Sequence, residues 1–232
     1  MNRALAFAFV LAFAAATPAD AATRSYTITS FTRVRVEGAY AVAISTNRGP
    51  FARATGDQAA LDRVKVRVEG TTLVVSADPG GWGGYPGQPT GPVRIEAGTP
   101  DITAATVNGT SSLDIDRVRG LEFGLSLQGS GLARIADAEA DRLKVALSGS
   151  GSVRVAGKAL ALTAIVRGSG SLDATGLAAK DAVIGAEGAA VVRATVAGSA
   201  KVDAAGVAAV ELTGSPTCRT KVIGTATVSG CR

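Results

Sequence analysis

Gly149–Val155, G-S-G-S-V-R-V, is one copy of a unit that recurs from about residue 107 to the C-terminus. Further copies begin at Gly109 (GTSSLDI), Gly129 (GSGLARI), Gly168 (GSGSLDA), Gly188 (GAAVVRA), Gly198 (GSAKVDA) and Gly214 (GSPTCRT). A small residue follows each glycine, and a charge stands five places after it: Asp114, Arg134, Arg154, Asp173, Arg193, Asp203 and Arg219. From Gly109 to Gly188 the glycines are 20, 20, 19 and 20 residues apart, a spacing that marks stacked coils. Val153-Arg154-Val155 alternates with the strand period of two. Gly-Ser-Gly supplies the backbone freedom for a sharp corner. About 20 residues hold two or three short strands with their corners, and stacking buries the aliphatic face that one coil cannot bury alone. The pattern predicts an all-β chain, a right-handed parallel β-helix-like stack of coils.

Stacked coils lie about 4.8 Å apart. The charges after Gly109 to Gly188 then form an outward ladder of Asp114, Arg134, Arg154, Asp173 and Arg193. Unlike neighbours on such a ladder attract by roughly 0.2–1 kcal/mol and the like pair Arg134/Arg154 repels mildly. A solvated face explains this ladder better than a binding site does. The Ser and Thr after each glycine read as turn residues whose hydroxyls satisfy local backbone groups. After Gly188 the next glycines that fit the unit are Gly198, Gly214 and Gly224. Gly188 to Gly214 reads as one enlarged coil, with Gly198 and Gly224 as a second corner.

Residues 1–22 read as a secretory signal: Arg3, an apolar run Ala4–Ala16, and Ala19-Asp20-Ala21 as a small-x-small cleavage pattern with cleavage after Ala21 or Ala22. The run is too short to span a bilayer. No other long apolar stretch follows, so the mature chain is expected to be exported without a transmembrane segment, to the periplasm, the cell surface or the medium. Residues 23–106 form a less regular N-terminal β portion packed on the repeats of 107–232. Within it Phe31–Glu37 alternates, turning either Phe31 or Val34 and Val36 inward. Tyr40–Ser45, Arg63–Glu69, Leu73–Val75 and Val93–Ala97 are strands, and Asp57 is expected to cap one helical turn ending at Leu61.

The loop 78–92, DPGGWGGYPGQPTGP, is the one low-complexity segment and carries Trp82 and Tyr85. The two rings could stack on a sugar, or fold back on the end of the helix as part of a plain insertion. Cys218 and Cys231 are an even count in an exported chain, which favours one structural disulfide over a reactive thiol pair.

The net charge of +5 is scattered through alternating positions, without the aromatic-studded basic patch of a nucleic-acid binder. The chain contains no histidine, which excludes Ser-His-Asp and Cys-His catalysis and histidine-bound zinc. No cofactor or metal motif is present. Asp114 and Asp116 share one strand face, whereas a glycosidase opposes its carboxylates across a cleft.

The order F-x-x-V-x-V-x-G (Phe31–Gly38), D-x-x-x-L (Asp57–Leu61), L-V-V, a variable loop, Pro100 and GSG rungs resembles the bacterial domain family DUF2807, the "putative autotransporter adhesin head GIN domain". The resemblance spans roughly Phe31–Ser229 and implies a parallel β-helix-like fold in exported or envelope proteins, with an adhesin-like role and no catalytic residues. The expected function is a non-enzymatic envelope binding or structural domain whose partner is an envelope polysaccharide or another protein. The alternatives are a lyase-like polysaccharide enzyme, for which Arg154, Asp173 and Arg193 are the nearest candidates, and a modulator of envelope signalling that acts by protein contact. The oligomeric state is not readable.

Overall fold

The computed structural model describes residues 22–78, 80 and 91–232. The proposed signal, apart from Ala22, and the Trp82/Tyr85 pair lie outside the described residues. The described chain is a β-solenoid of about six turns. Its elements are β1 (Ala22–Tyr26), β2 (Arg33–Gly38), β3 (Ala41–Ser45), β4 (Phe51–Gly56), α1 (Gln58–Leu61), β5 (Val64–Glu69), β6 (Thr72–Ala77), β7 (Arg94–Gly98) and β8 (Ala104–Gly109). The coils follow as β9 (Ser112–Gly129), β10 (Leu132–Gly149), β11 (Ser152–Gly168), β12 (Ser171–Gly188) and β13 (Val191–Gly206), and the stack closes with β14 (Ala209–Thr213), β15 (Thr217–Gly224) and β16 (Thr227–Ser229). Among the described residues no helix is long and apolar enough to cross a membrane.

Each long strand wraps a whole coil and pairs in parallel with the next, residue against residue. Burial shows how it bends. In β10 the buried positions are Ala133 and Ile135, then Ala138 and Ala140, then Leu143, Val145 and Leu147. Alternation holds within each group and slips between groups, so a coil has three short runs separated by corners. The inward residues stack into continuous aliphatic files, for example Phe123, Leu143, Leu162, Ala182 and Ala200. The charged positions between them face water, as the alternation requires.

The third corner is where glycine is obligatory. Gly109, Gly129, Gly149, Gly168, Gly188, Gly206 and Gly224 have φ between 83° and 117°. A Cβ on any of them would lie no more than 2.9 Å from the carbonyl oxygen of the corner glycine one coil earlier, with Gly38 preceding Gly109. That oxygen accepts the amide of the residue after the next corner, as in Ser130 to Gly109 at 3.1 Å and Ser150 to Gly129 at 3.0 Å. This corrects the expected hydroxyl role: the backbone amide makes the bond, and Thr225 alone among the described corner residues adds its hydroxyl, to the Gly206 carbonyl at 3.3 Å.

The column also corrects the register after Gly188. Gly206 stacks on Gly188 and Gly224 on Gly206, so the coils shorten to 18 residues rather than one enlarging to Gly214. Gly214 is a corner of another column, beside the Val196 carbonyl, and Gly198 lies beside Lys180 without a positive φ. Asp203 and Arg219 therefore leave the predicted charge ladder, and Glu211 stands beside Arg193 in their place.

The N-terminal strands extend the same sheet. β2 lies between β6 and β8, and β3 between β7 and β9, all in parallel. One early coil thus sits between two that come later in sequence. Antiparallel pairs β4–β7, β1–β4 and β5–β6 finish this end. Phe31, Val34 and Val36 are all buried, because the chain bends at Thr32 before β2 begins. The predicted helical turn is α1, which buries Ala60 and Leu61, but Asp57 caps it through its carbonyl, accepting the Leu61 amide at 2.9 Å, and not through its side chain. The Arg24 guanidinium pairs with Asp62 and donates to the Leu61 carbonyl at 2.9 Å, fastening β1 to α1. At the other end Cys218 and Cys231 form a disulfide, with their Cα atoms 5.6 Å apart.

Gly149→Ala is expected to lower stability by about 2–4 kcal/mol, from the forced φ and the overlap with Gly129. Gly124→Ala, where nothing lies within 4 Å of the added carbon, should stay within about 0.5 kcal/mol of wild type. Urea midpoints check both, and equal losses would refute the corner constraint. Replacing both cysteines by serine removes a constraint of roughly 3 kcal/mol on the chain-entropy estimate. Because the bond closes only the terminal coil, hydrogen exchange should quicken in residues 217–229 and leave Gly129–Gly188 protected.

Candidate functional site

The first run of each coil carries the predicted ladder on its outer side. Arg154 Nε donates to Asp173 Oδ2 at 3.2 Å and Arg193 Nε to Glu211 Oε2 at 3.1 Å, while Arg134 is in register between Asp114 and Arg154. Asp173 also accepts the Thr175 hydroxyl at 2.6 Å and its amide at 3.2 Å. These Thr175 bonds, then the Arg154 guanidinium, hold the Asp173 carboxyl below its ordinary value. Arg154, Asp173 and Arg193, the lyase candidates, thus stand in one file on one face and do not oppose one another across a cleft.

The third run is similarly paired. Glu122 accepts Lys144 Nζ at 2.7 Å and Arg142 Nε at 3.0 Å, and these cations, Lys144 first, depress its pKa. Arg167 pairs with Glu187 at 3.1 Å. Exposed pairs of this kind contribute about 0–1 kcal/mol each and satisfy surface charge more than they stabilise. Among the described residues no group of three or more Asp, Glu or Cys side chains could hold a metal ion.

The second run differs. The coils between corner glycines are not equal in length, and the register shifts that absorb the differences gather before and within this run. They fall between Ile135 and Ala138 in β10, Arg154 and Ala156 in β11, and at Ala174/Ala178 and Ala179/Asp181 in β12. Bulges of this kind interrupt the ladder and re-aim side chains. Here they open a trough of about 460 Å³ over Ala140, Ala159 and Ala179. Glu139, Lys158 and Thr195 line one side, and Asp141, Leu160 and Lys180 the other. Leu160 is 58% exposed. Among the described residues Asp141, Lys158 and Lys180 enter no ion pair within 4.0 Å, whereas Glu139 pairs with Arg119 at 3.2 Å. Free charges of both signs, an exposed leucine and an alanine floor distinguish this flank from the other two. The sequence analysis singled out none of these residues. The signal was the 19-residue step between Gly149 and Gly168, whose consequence depends on register.

A parallel solenoid with glycine corners, outward ion-pair files and bulges confined to one flank is now defined. The sequence profile described as "Putative auto-transporter adhesin, head GIN domain", DUF2807, matches residues 30–216. The chain belongs to the DUF2807 family. Among solved structures, this GIN domain resembles a "putative adhesin" of Bacteroides fragilis at TM-score 0.79 and 18% identity, covering 89% of this chain and 94% of that one. A "putative lipid binding protein" of Parabacteroides distasonis follows at 0.72 and 17%, covering 90% and 95%. A "putative adhesin" of the same organism superposes at 0.66 and 17%, covering 90% and 96%. At these identities the likeness is one of fold. No protein of curated function matches the sequence significantly.

Because the Asp173 carboxyl is lowered in the folded state, its contribution is fully present above the unfolded value near 3.9 and is lost as pH falls through the lowered folded one. Asp173→Asn should therefore melt below wild type at pH 7, and the gap should close between about pH 4 and pH 2. Thermal midpoints across that range check this; a gap independent of pH would refute it.

Proposed function

We propose that this GIN domain is an exported, non-enzymatic binding module of the cell envelope, adhesin-like in action, whose second-run flank holds an envelope partner. The observation that carries this is the trough, where bulges expose Leu160 over an alanine floor and leave Asp141, Lys158 and Lys180 unpaired. Extended surfaces built from stacked repeats serve this purpose in solenoids generally. The adhesin names of the family and of two structural neighbours agree with it. The disulfide between Cys218 and Cys231 fits an oxidising, exported setting.

Of the two partner classes, polysaccharide and protein, the trough favours protein. No aromatic ring lines it, methyl groups form its floor, and rim charges of both signs suit the side chains of an extended segment. Trp82 and Tyr85 are the residues that would serve a polysaccharide instead.

Capture of solubilised envelope proteins, with a glycan array in parallel, tests this on three chains: wild type, Leu160→Asp/Lys180→Glu, and Trp82→Ala/Tyr85→Ala. Wild type and the Trp82/Tyr85 variant should retain the same envelope protein, and the trough variant should lose it at least tenfold while keeping its melting midpoint. Retention of every partner by the trough variant, binding only to glycans, or polysaccharide cleavage by wild type would overturn the proposal.

A further inference from the structure

The two ends of the solenoid differ. At the N-terminal end α1 and the antiparallel strands cover the aliphatic files, burying Leu61, Val64 and Val66. At the other end β15 pairs only with β13, and β16 only with β14. Val222 occupies the inward position in register with Ala204, which is buried, yet Val222 is 46% exposed because no described residue covers it. Beside it Ile223 is 56% exposed, and Val207, at the corner one coil earlier, 63%. The charge here has one sign. No acidic residue follows Glu211 in the sequence, whereas Arg219, Lys221 and Arg232 do. Arg219, Lys221 and Ile223 line one open depression with Lys201, Asp203 and Glu187. Its two acids are engaged: Glu187 with Arg167 at 3.1 Å and Asp203 with Lys201 at 3.7 Å.

We infer that this end of the solenoid docks on the surface of an anionic phospholipid bilayer. Aliphatic side chains grouped with cations at the extremity of an elongated body suit a plane that is apolar beneath and negative at its headgroups. Val222, Ile223 and Val207 enter the headgroup boundary while Arg219 and Lys221 meet phosphates. A second copy fits less well. Two such ends would oppose cations to cations, and β5 at the far end offers Lys65 and Arg67 against Glu69. Lysines on a sheet edge also serve to prevent edge-to-edge association, but that role accounts for Lys221 and not for the exposed Val222 and Ile223. The inference is independent of the trough, which lies on another flank.

Co-sedimentation of the full chain with vesicles tests it, using phosphatidylcholine alone and phosphatidylcholine with 30% phosphatidylglycerol. Binding should require phosphatidylglycerol and fall steeply when sodium chloride is raised from 0.05 to 0.5 M. Arg219→Gln/Lys221→Gln should weaken it by roughly 20–30-fold. Val222→Ser/Ile223→Ser should weaken it as well, with the melting midpoint of each variant measured to confirm folding. Arg33→Gln/Arg35→Gln, in β2 away from this end, should bind as wild type does. No binding to the anionic vesicles, or equal binding by both end variants, overturns the inference. So does a dimer in light scattering that Val222→Ser/Ile223→Ser abolishes, since that would assign the end to a second copy. Self-association of Arg219→Gln/Lys221→Gln with vesicle binding unchanged would make the cations guards of the edge and overturn it too.

Discussion

One hydrogen bond, repeated coil after coil, governs this structure: the amide after a corner glycine donates to the carbonyl of the glycine one coil before. It forms only if the glycine has no side chain, since a Cβ would lie against that same oxygen, and only at a φ that other residues seldom adopt. The column it makes runs from Gly38 to Gly224. With the corner fixed, register is fixed, and with register fixed every inward residue lands on an inward residue of the next coil. The aliphatic files and the outward ion pairs follow from that alignment.

The regular middle of the chain was legible because its signals agree. Glycine spacing, strand alternation and the charge five places on all point to one coil between Gly109 and Gly188, and the cysteine pair was legible from count and compartment. The register beyond Gly188 was not. The obligatory glycine is the first of each GSG; the second position is a packing site, filled by Gly131, Gly151 and Gly170 but by Ala190 and Ala208 later, where a methyl group fits. Gly206-Val207-Ala208 is therefore a full corner that does not look like one, while Gly198 and Gly214 resemble the motif and serve elsewhere. The placement of β2 and β3 between later strands has no local signal at all, being decided by pairing over more than 60 residues. The trough was hidden for a related reason: a one-residue difference in coil length is visible in spacing, but the corner that absorbs it is a property of the stack.

The three flanks divide the surface by chemistry. On the first and third runs, acids and bases one coil apart meet within hydrogen-bonding distance, as at Arg154–Asp173, Arg193–Glu211 and Arg167–Glu187. Such pairs add little stability, yet they leave few charges on those faces to draw a partner. The second run keeps Lys158, Lys180 and Asp141 free beside Leu160, because the bulges displace its outward positions from the register that pairs acid with base elsewhere.

The coil formed by β2 and β3 bears on the order in which the protein is assembled. Its neighbours on one side are β6 and β7 and on the other β8 and β9, all of them synthesised afterwards. A nascent chain therefore carries residues 33–45 with both strand edges open until about residue 98 has emerged, and with one edge open until Ile115. The regular coils have no such wait, since each can dock on its predecessor as it appears. The N-terminal third is thus the late-closing part of the molecule despite being made first, and chaperone protection matters most there.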